Sequence, residues 1–285
     1  MTKNTLQAVK KFWEENPLYL GESSFEAGSH EFFEEHTAVV LEDCFAGEVD
    51  QRIFPAQAEC SSYPVLDAGC GIGFWLEQFV SRGFRDITGV DISRSALALA
   101  RMRMTGSNIK PELVEGNLED LPFLDGSFAH VNCQGVIHHT PYPMAALSEI
   151  ARVLRTGGTA SISVYHDGIL LKLFRLLRPL FGLAGKLGGG LKGRGRESIL
   201  SAESAEELVR MYDGKDNPIG ISYSQRDFKE ALGRYFEVDE MYVHFFPRRA
   251  FPWVPRSWHG VLDRHFGLMV YASVSKVEKL ESSGP

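Results

Sequence analysis

The chain is short of cysteine. Four occur in 285 residues (Cys44, Cys60, Cys70 and Cys133), with neither the spacing of a metal site nor the density of a disulfide scaffold. That argues against a disulfide-built secreted fold, fits reduced thiols in a cytoplasmic protein, and leaves no metal site to expect. Excess positive charge is also missing. Thirty Lys and Arg against 37 Asp and Glu leave a net charge of −7, which excludes a broad nucleic-acid footprint. No uncharged run is long enough to cross a bilayer, so stable membrane insertion is not expected. Residues 1–4 lead into Gln, Lys and Glu rather than a hydrophobic leader. No internal repeat is visible. What remains, 44% hydrophobic and 24% charged, suits one large domain, or one core with an appended lid.

Glycine is concentrated in one telling place. Val65-Leu66-Asp67-Ala68-Gly69-Cys70-Gly71-Ile72-Gly73-Phe74-Trp75 reads as a buried strand, a glycine turn and the start of a helix. Glycine has no Cβ, so the turn can take positive φ and let a ligand approach the backbone. A strand, a glycine turn and a helix N-terminus make a nucleotide-type pocket. Asp91 follows Gly73 by 18 residues, at the tip of the next apolar stretch. A strand-end acid at that distance can accept hydrogen bonds from both ribose hydroxyls. The G-x-G-x-G spacing differs from the G-x-G-x-x-G of dinucleotide sites, which argues against a nicotinamide-dependent oxidoreductase.

Strand and helix patterns alternate through residues 64–165. Strands are expected at 65–68, 86–90, 110–115, 128–133 and 159–165, with helices at 74–82, 93–104 and 144–154. Arg155–Gly158 is read as the turn that ends the last of these helices. Such alternation implies a parallel sheet with helices on both faces. Its loops then converge at the carboxyl edge, where ligands bind. That brings Gly69–Gly73, Asp91-Ile92, Asn117-Leu118 and Gln134–His139 to one crevice.

Asp67-Ala68-Gly69-Cys70-Gly71-Ile72-Gly73 resembles motif I of the class I S-adenosylmethionine-dependent methyltransferases. Asp125-Gly126-Ser127-Phe128, Gln134–His139 and Ala151–Gly158 are similar to that family's fourth strand and following helix. The resemblance covers about residues 60–165. It implies a Rossmann-like three-layer sandwich with a seven-stranded, mostly parallel sheet whose last strand is antiparallel. It also implies S-adenosylmethionine as cofactor and S-adenosylhomocysteine as product. The cofactor-binding set is then Asp67, Gly69, Cys70, Gly71, Gly73, Asp91, Ile92, Asn117, Leu118 and Gln134. Asn117 stands where an acidic residue often contacts the adenine amine, and its side-chain oxygen can still accept from it. Ile92 and Leu118 would sandwich the ring.

His138 and His139 follow the fourth strand, near the place of the transferred methyl group. Histidine titrates near neutral pH and can act as a general base, so both are catalytic candidates. The bland reading is that they order the loop.

The remainder divides into an N-terminal helical cap (1–60), a helical lid insertion (166–222) and a C-terminal completion of the sheet (223–280). Within the cap, helices are expected at 6–15 and 30–45, and Tyr19 either closes over the site or packs the cap. The insertion carries an apolar segment with Lys172, Arg175 and Arg178 at helical spacing, then a basic glycine-rich loop, then a helix at 201–211. It reads as a substrate lid, with a membrane-interface contact or a dimer contact as the alternatives; monomer and homodimer both stay open. Strands at 236–243 and 268–274 flank a connection rich in aromatics and arginines. Tyr19, Tyr165, Arg194, Arg196, Tyr223 and Arg248 are the expected acceptor contacts, since aromatics with arginines suit an organic anion. The resulting expectation is methylation of a small, hydrophobic, anionic metabolite of secondary-metabolite, isoprenoid or aromatic-acid type. The alternatives are the oxidoreductase and a non-catalytic cofactor-binding protein.

Overall fold

A computed structural model describes residues 3–55, 62–173, 176, 178–179, 199, 201–247, 251 and 253–277. Its centre is a parallel sheet of β1 (Val65–Ala68), β2 (Ile87–Asp91), β3 (Glu112–Glu115), β4 (Phe128–Gln134) and β5 (Leu154–His166), in the order β3-β2-β1-β4-β5. β6 (Ser222–Tyr223) pairs with the last two residues of β5. β7 (Glu237–His244) and β8 (Met269–Ser275) complete the sheet, with β8 lying between β5 and β7 and antiparallel to both. This is the expected Rossmann-like fold with one short strand added, eight rather than seven.

The helices are α1 (Lys3–Glu15), α2 (His30–Phe45), α3 (Phe74–Ser81), α4 (Arg94–Arg103), α5 (Pro143–Val153), α6 (Ile169–Lys172), α7 (Ala205–Tyr212), α8 (Gln225–Leu232) and α9 (Arg256–Phe266). None among the described residues is long and apolar enough to cross a membrane. β1 is buried at every position, as a central parallel strand covered on both faces must be. Its alternate residues serve two cores. Leu66 and Ala68 pack with Leu147 and Ile150 of α5 and Phe228 of α8; Val65 packs with Leu76 and Phe79 of α3 and Leu97 of α4. Each Val, Leu, Ile or Phe among them contributes about 1.5–3 kcal/mol by burial.

Of the boundaries that differ from the sequence reading, three have a clear local reason. β3 starts at Glu112 because Pro111 has no N–H for the ladder. The strand expected at 159 begins at Leu154, already extended at ψ 132°. Phe128 pairs with Leu154 but His130 with Thr159, so Arg155–Gly158 bulge out, with Gly157 at φ 70°, instead of simply ending a helix. α7 begins at Ala205 because the capping hydroxyl is that of Ser204, which accepts from Glu207 N at 3.1 Å.

α9 was not anticipated at all. It buries polar residues, His259 and Asp263, and exposes Trp258 and Val261. Asp263 docks it: Oδ1 accepts from Phe245 N at 2.7 Å and Phe246 N at 3.1 Å, and Oδ2 pairs with His244 Nδ1. His244 Nε2 pairs in turn with Asp50 Oδ2 at 2.9 Å.

Candidate active site

The turn after β1 folds back over β2. Gly69 N and Cys70 N both donate to Val90 O, at 2.7 and 3.0 Å. Gly69, Gly71 and Gly73 stand at φ 81°, 51° and 85°, a region closed to most side chains. Asp91 then ties the turn down: Oδ2 accepts from Gly71 N at 2.8 Å and Oδ1 from Ser93 N at 2.9 Å. The lone pairs that these backbone donors leave over are available to a ligand. Burial pushes this carboxyl above its usual range, and the N–H groups of Ser93 and Gly71 oppose the shift.

The three glycines do different things. A Cβ on Gly69 would meet Val136 Cγ2 at 2.4 Å, and one on Gly73 would meet Ala100 at 3.2 Å. Gly73 therefore lets α3 approach α4, while Gly71 lies open to the cleft and meets only Leu18, at 3.5 Å.

A cleft of about 800 Å³, mouth included, runs along this edge. Gly69, Gly71, Asp91, Ile92, Asn117, Leu118 and Gln134 all line it. Asp67 and Gly73 lie behind it and line neither this cleft nor the chamber beside it; Cys70 lines the chamber. Asp67 is 1% exposed, and its Oδ1 accepts from Asn132 Nδ2 at 2.7 Å. Burial pushes its carboxyl up to about 7; the Asn132 hydrogen bond opposes this and the Asp91 charge adds to it.

α1 roofs the cleft through Leu6, Val9 and Trp13. Those residues share one helix face by spacing, a signal that could have placed them there from sequence. Polar contacts pin the roof. Lys10 Nζ meets Glu115 Oε1 at 2.5 Å, Ser93 Oγ donates to Trp13 O at 3.0 Å, and Glu14 Oε2 accepts from Arg94 N at 2.7 Å. The last places a carboxylate at the N-terminus of α4, where the helix dipole favours it.

The adjoining chamber encloses about 1140 Å³, again including its mouth. Leu18, Gly69, Gln134, Gly135 and His139 wall both cavities. Phe45, Trp75, Tyr165, Tyr212, Phe245 and Tyr271 give the chamber aromatic sides. Its charged side chains among the described residues are Glu22, Asp43 and Asp213, with no lysine or arginine. Tyr19 lines it too and packs against Phe32 and His36. Tyr223 instead packs against Phe228 and lines neither cavity. Arg194, Arg196 and Arg248 lie outside the described residues.

His138 and His139 are both buried, yet differ in what they can do. His139 Nδ1 sits 2.7 Å from Ile219 O, and Nε2 sits 3.1 Å from Asp213 Oδ2. Nδ1 also lies 3.3 Å from Asn217 Nδ2, so both ring nitrogens are engaged by neighbouring groups. His138 Nδ1 is buried and has no hydrogen-bond partner among the described residues. Burial, and secondarily the neighbouring His139, hold the His138 pKa well below its usual value, so the ring is neutral. Asp213 was not foreseen; its Oδ2 also accepts from Tyr165 Oη at 2.6 Å, and so it ties the segment after α7 to the site. No pattern in the sequence marks it.

The cleft fits a nucleoside with a cationic amino-acid tail. It offers a strand-end carboxylate for a diol, the apolar Ile92 and Leu118, and a buried acceptor, Gln134 Oε1, that has no protein partner. Among the described residues no group of three or more His, Cys, Asp and Glu could hold a metal ion.

Comparisons with known proteins agree. Residues 66–162 match a family model described as a methyltransferase domain. A ubiquinone biosynthesis O-methyltransferase of Aromatoleum aromaticum is 31% identical over 185 residues, covering 63% of this chain and 76% of that protein. A demethylmenaquinone methyltransferase of Listeria monocytogenes is 33% identical over 130 residues; the match covers 41% of this chain but only 54% of that protein. The solved structure of an S-adenosylmethionine-dependent methyltransferase from Methanosarcina mazei shares the fold, with a TM-score of 0.52 at 20% identity over 76% of this chain and 93% of that one. These matches set aside the oxidoreductase reading. With a glycine turn clamped by a strand-end aspartate and relatives of this kind, the chain belongs to the class I S-adenosylmethionine-dependent methyltransferases.

Proposed function

We propose that the chain methylates a hydroxyl on a small, hydrophobic, ring-bearing metabolite. The observation that carries this reading is the join: one aromatic chamber opens into the cofactor cleft past Gly69, Gln134, Gly135 and His139. When bound, the cofactor supplies a methyl group on a sulfonium, an electrophile that asks mainly for an aligned nucleophile. Asp91 would hold the ribose hydroxyls, Ile92 and Leu118 would flank the adenine, and Asn117 Oδ1, which already accepts from Glu119 N at 3.1 Å, would accept again from the adenine amine.

His138 is the proposed base. It lines the chamber and carries a ring nitrogen that has no partner among the described residues, a place for a hydroxyl proton, although its lowered pKa makes it a weak base in the free chain. His139, held between Ile219 and Asp213, would position it; the two rings lie 4.2 Å apart. The aromatic walls favour a planar acceptor. The carboxylates Glu22, Asp43 and Asp213 favour a neutral acceptor over an anionic one, so the anionic half of the sequence reading gains no support from the described lining. The relatives named for ubiquinone and menaquinone methylation also point to ring-bearing acceptors.

The test is a panel of alkylated phenols and quinols, each paired with its carboxylated counterpart, assayed with labelled S-adenosylmethionine and product mass spectrometry. Transfer to the neutral member of each pair is expected. Transfer confined to the carboxylated members would sink the proposal.

A further inference from the structure

A chain of side-chain hydrogen bonds crosses three neighbouring strands beneath the join of the two cavities. Asp67 pairs in register with Asn132, and Asn132 with Ser161. Asn132 and Gln134 are two residues apart on β4 and so face the same side of the sheet. Asn132 Nδ2 donates to Asp67 Oδ1 at 2.7 Å. Gln134 Nε2 then donates to Asn132 Oδ1 at 2.9 Å, and also lies 3.0 Å from Ser161 O and 2.9 Å from Ser161 Oγ. Asp67, Asn132 and Ser161 are each no more than 1% exposed.

Donor and acceptor arithmetic gives this relay a direction. The Ser161 carbonyl only accepts, so Gln134 turns its NH2 to it and to Asn132 Oδ1, and Asn132 in turn offers its own NH2 to Asp67. Both hydrogens of that NH2 are thereby used. The Gln134 oxygen is left over, buried and without a partner, on a side chain that walls both cavities. Asp67 Oδ2 is a second buried acceptor without a partner. A buried amide such as Asn132, between Val131 and Cys133 in the middle of the sheet, is costly unless its bonds serve a purpose.

We propose that Asn132 is a positioning residue: held by Asp67, it fixes the Gln134 amide so that its oxygen accepts a hydrogen bond from the α-ammonium of the cofactor. This rests on the cofactor assignment. The opposite amide orientation would turn an NH2 towards an ammonium, so the relay decides between attraction and repulsion at one point. Leucine at 132 keeps the branched shape but removes both Asn132 hydrogen bonds, leaving the Gln134 amide held by Ser161 alone.

Calorimetry on the full chain, with S-adenosylhomocysteine and its des-amino analogue, tests this. Asn132→Leu should weaken S-adenosylhomocysteine about tenfold or more, as expected for a charge-assisted hydrogen bond, and change the des-amino analogue by less than about twofold. Gln134→Met should show the same selective loss. Thermal melting checks that each variant folds. If Asn132→Leu does not fold, Asp67→Asn takes its place: an amide oxygen there holds Asn132 less firmly than a carboxyl group with a carboxylate's charge, and a smaller selective loss is expected. Equal losses for both ligands would make the relay merely structural and overturn the proposal. Unchanged S-adenosylhomocysteine affinity with a raised acceptor KM would overturn it too, placing the donor on the acceptor substrate. Failure of the unaltered chain to bind either ligand would instead remove the cofactor assignment beneath it.

Discussion

The cofactor cleft and the acceptor chamber share a wall but are built in different ways. The cleft floor is made by turns at the ends of successive parallel strands, and much of its geometry is backbone: three positive-φ glycines, two amides clamped by Val90 O, and Asp91 gripping Gly71 N. The chamber is made of side chains drawn from the segment after α1, α2, the start of α3, the loop after β4, the end of β5, the end of α7, the segment after β7 and the strand β8. A site made of turns is fixed by local spacing. A site made of distant side chains is fixed only by the finished fold.

The two cavities should therefore fail separately. The largest effect is expected from His138→Ala, which should lower kcat about a hundredfold or more while leaving S-adenosylhomocysteine affinity within about twofold. Parallel losses in both would mean that the loop after β4 supports the cleft as much as the chemistry. Next comes Asp91→Ala, which should cost roughly 2–4 kcal/mol of S-adenosylhomocysteine binding, since it removes acceptors for the ribose and the clamp on Gly71. Calorimetry reads this directly, and an unaltered affinity would remove Asp91 from the cofactor site.

The smallest effect lies on the chamber's far support. Burial alone would lower the pKa of His244, but hydrogen bonds to Asp263 and Asp50 outweigh it and raise the value to about 9. The unfolded value is near 6.5. The stabilisation is thus fully present below about pH 6.5 and is lost as pH rises through about 9. His244→Gln should cost about 2 kcal/mol at pH 6, after allowance for solvent screening, and almost nothing above pH 10. Urea titrations at the two pH values measure the difference. A pH-independent cost would assign His244 to packing rather than to charge.

The same contrast explains what could be read in advance. Alternating apolar strands and helices gave the parallel sheet, and the strand-end positions Gly71, Asp91, Ile92, Asn117 and Leu118 all reached one cleft. Ser93 and Ser224 act as helix caps, accepting from Ala96 N and Asp227 N. α9 escaped because its pattern is inverted: with His259 and Asp263 inward and Trp258 outward, hydrophobic periodicity points away from the core. Asp213 escaped because its partners, His139 and Tyr165, are 74 and 48 residues away in the chain. Gly73 satisfied the motif for a reason the motif does not state, the close approach of two helices.

Leu18 has a consequence for timing. It belongs to the wall of both cavities and sits 3.5 Å from the point where a Gly71 side chain would begin. Pro17 before it and Tyr19 after it, at φ 66°, hold it in one short segment below α1. The covers of the two cavities thus meet at one side chain, so a change at Leu18 would be felt in the exchange of both small molecules together.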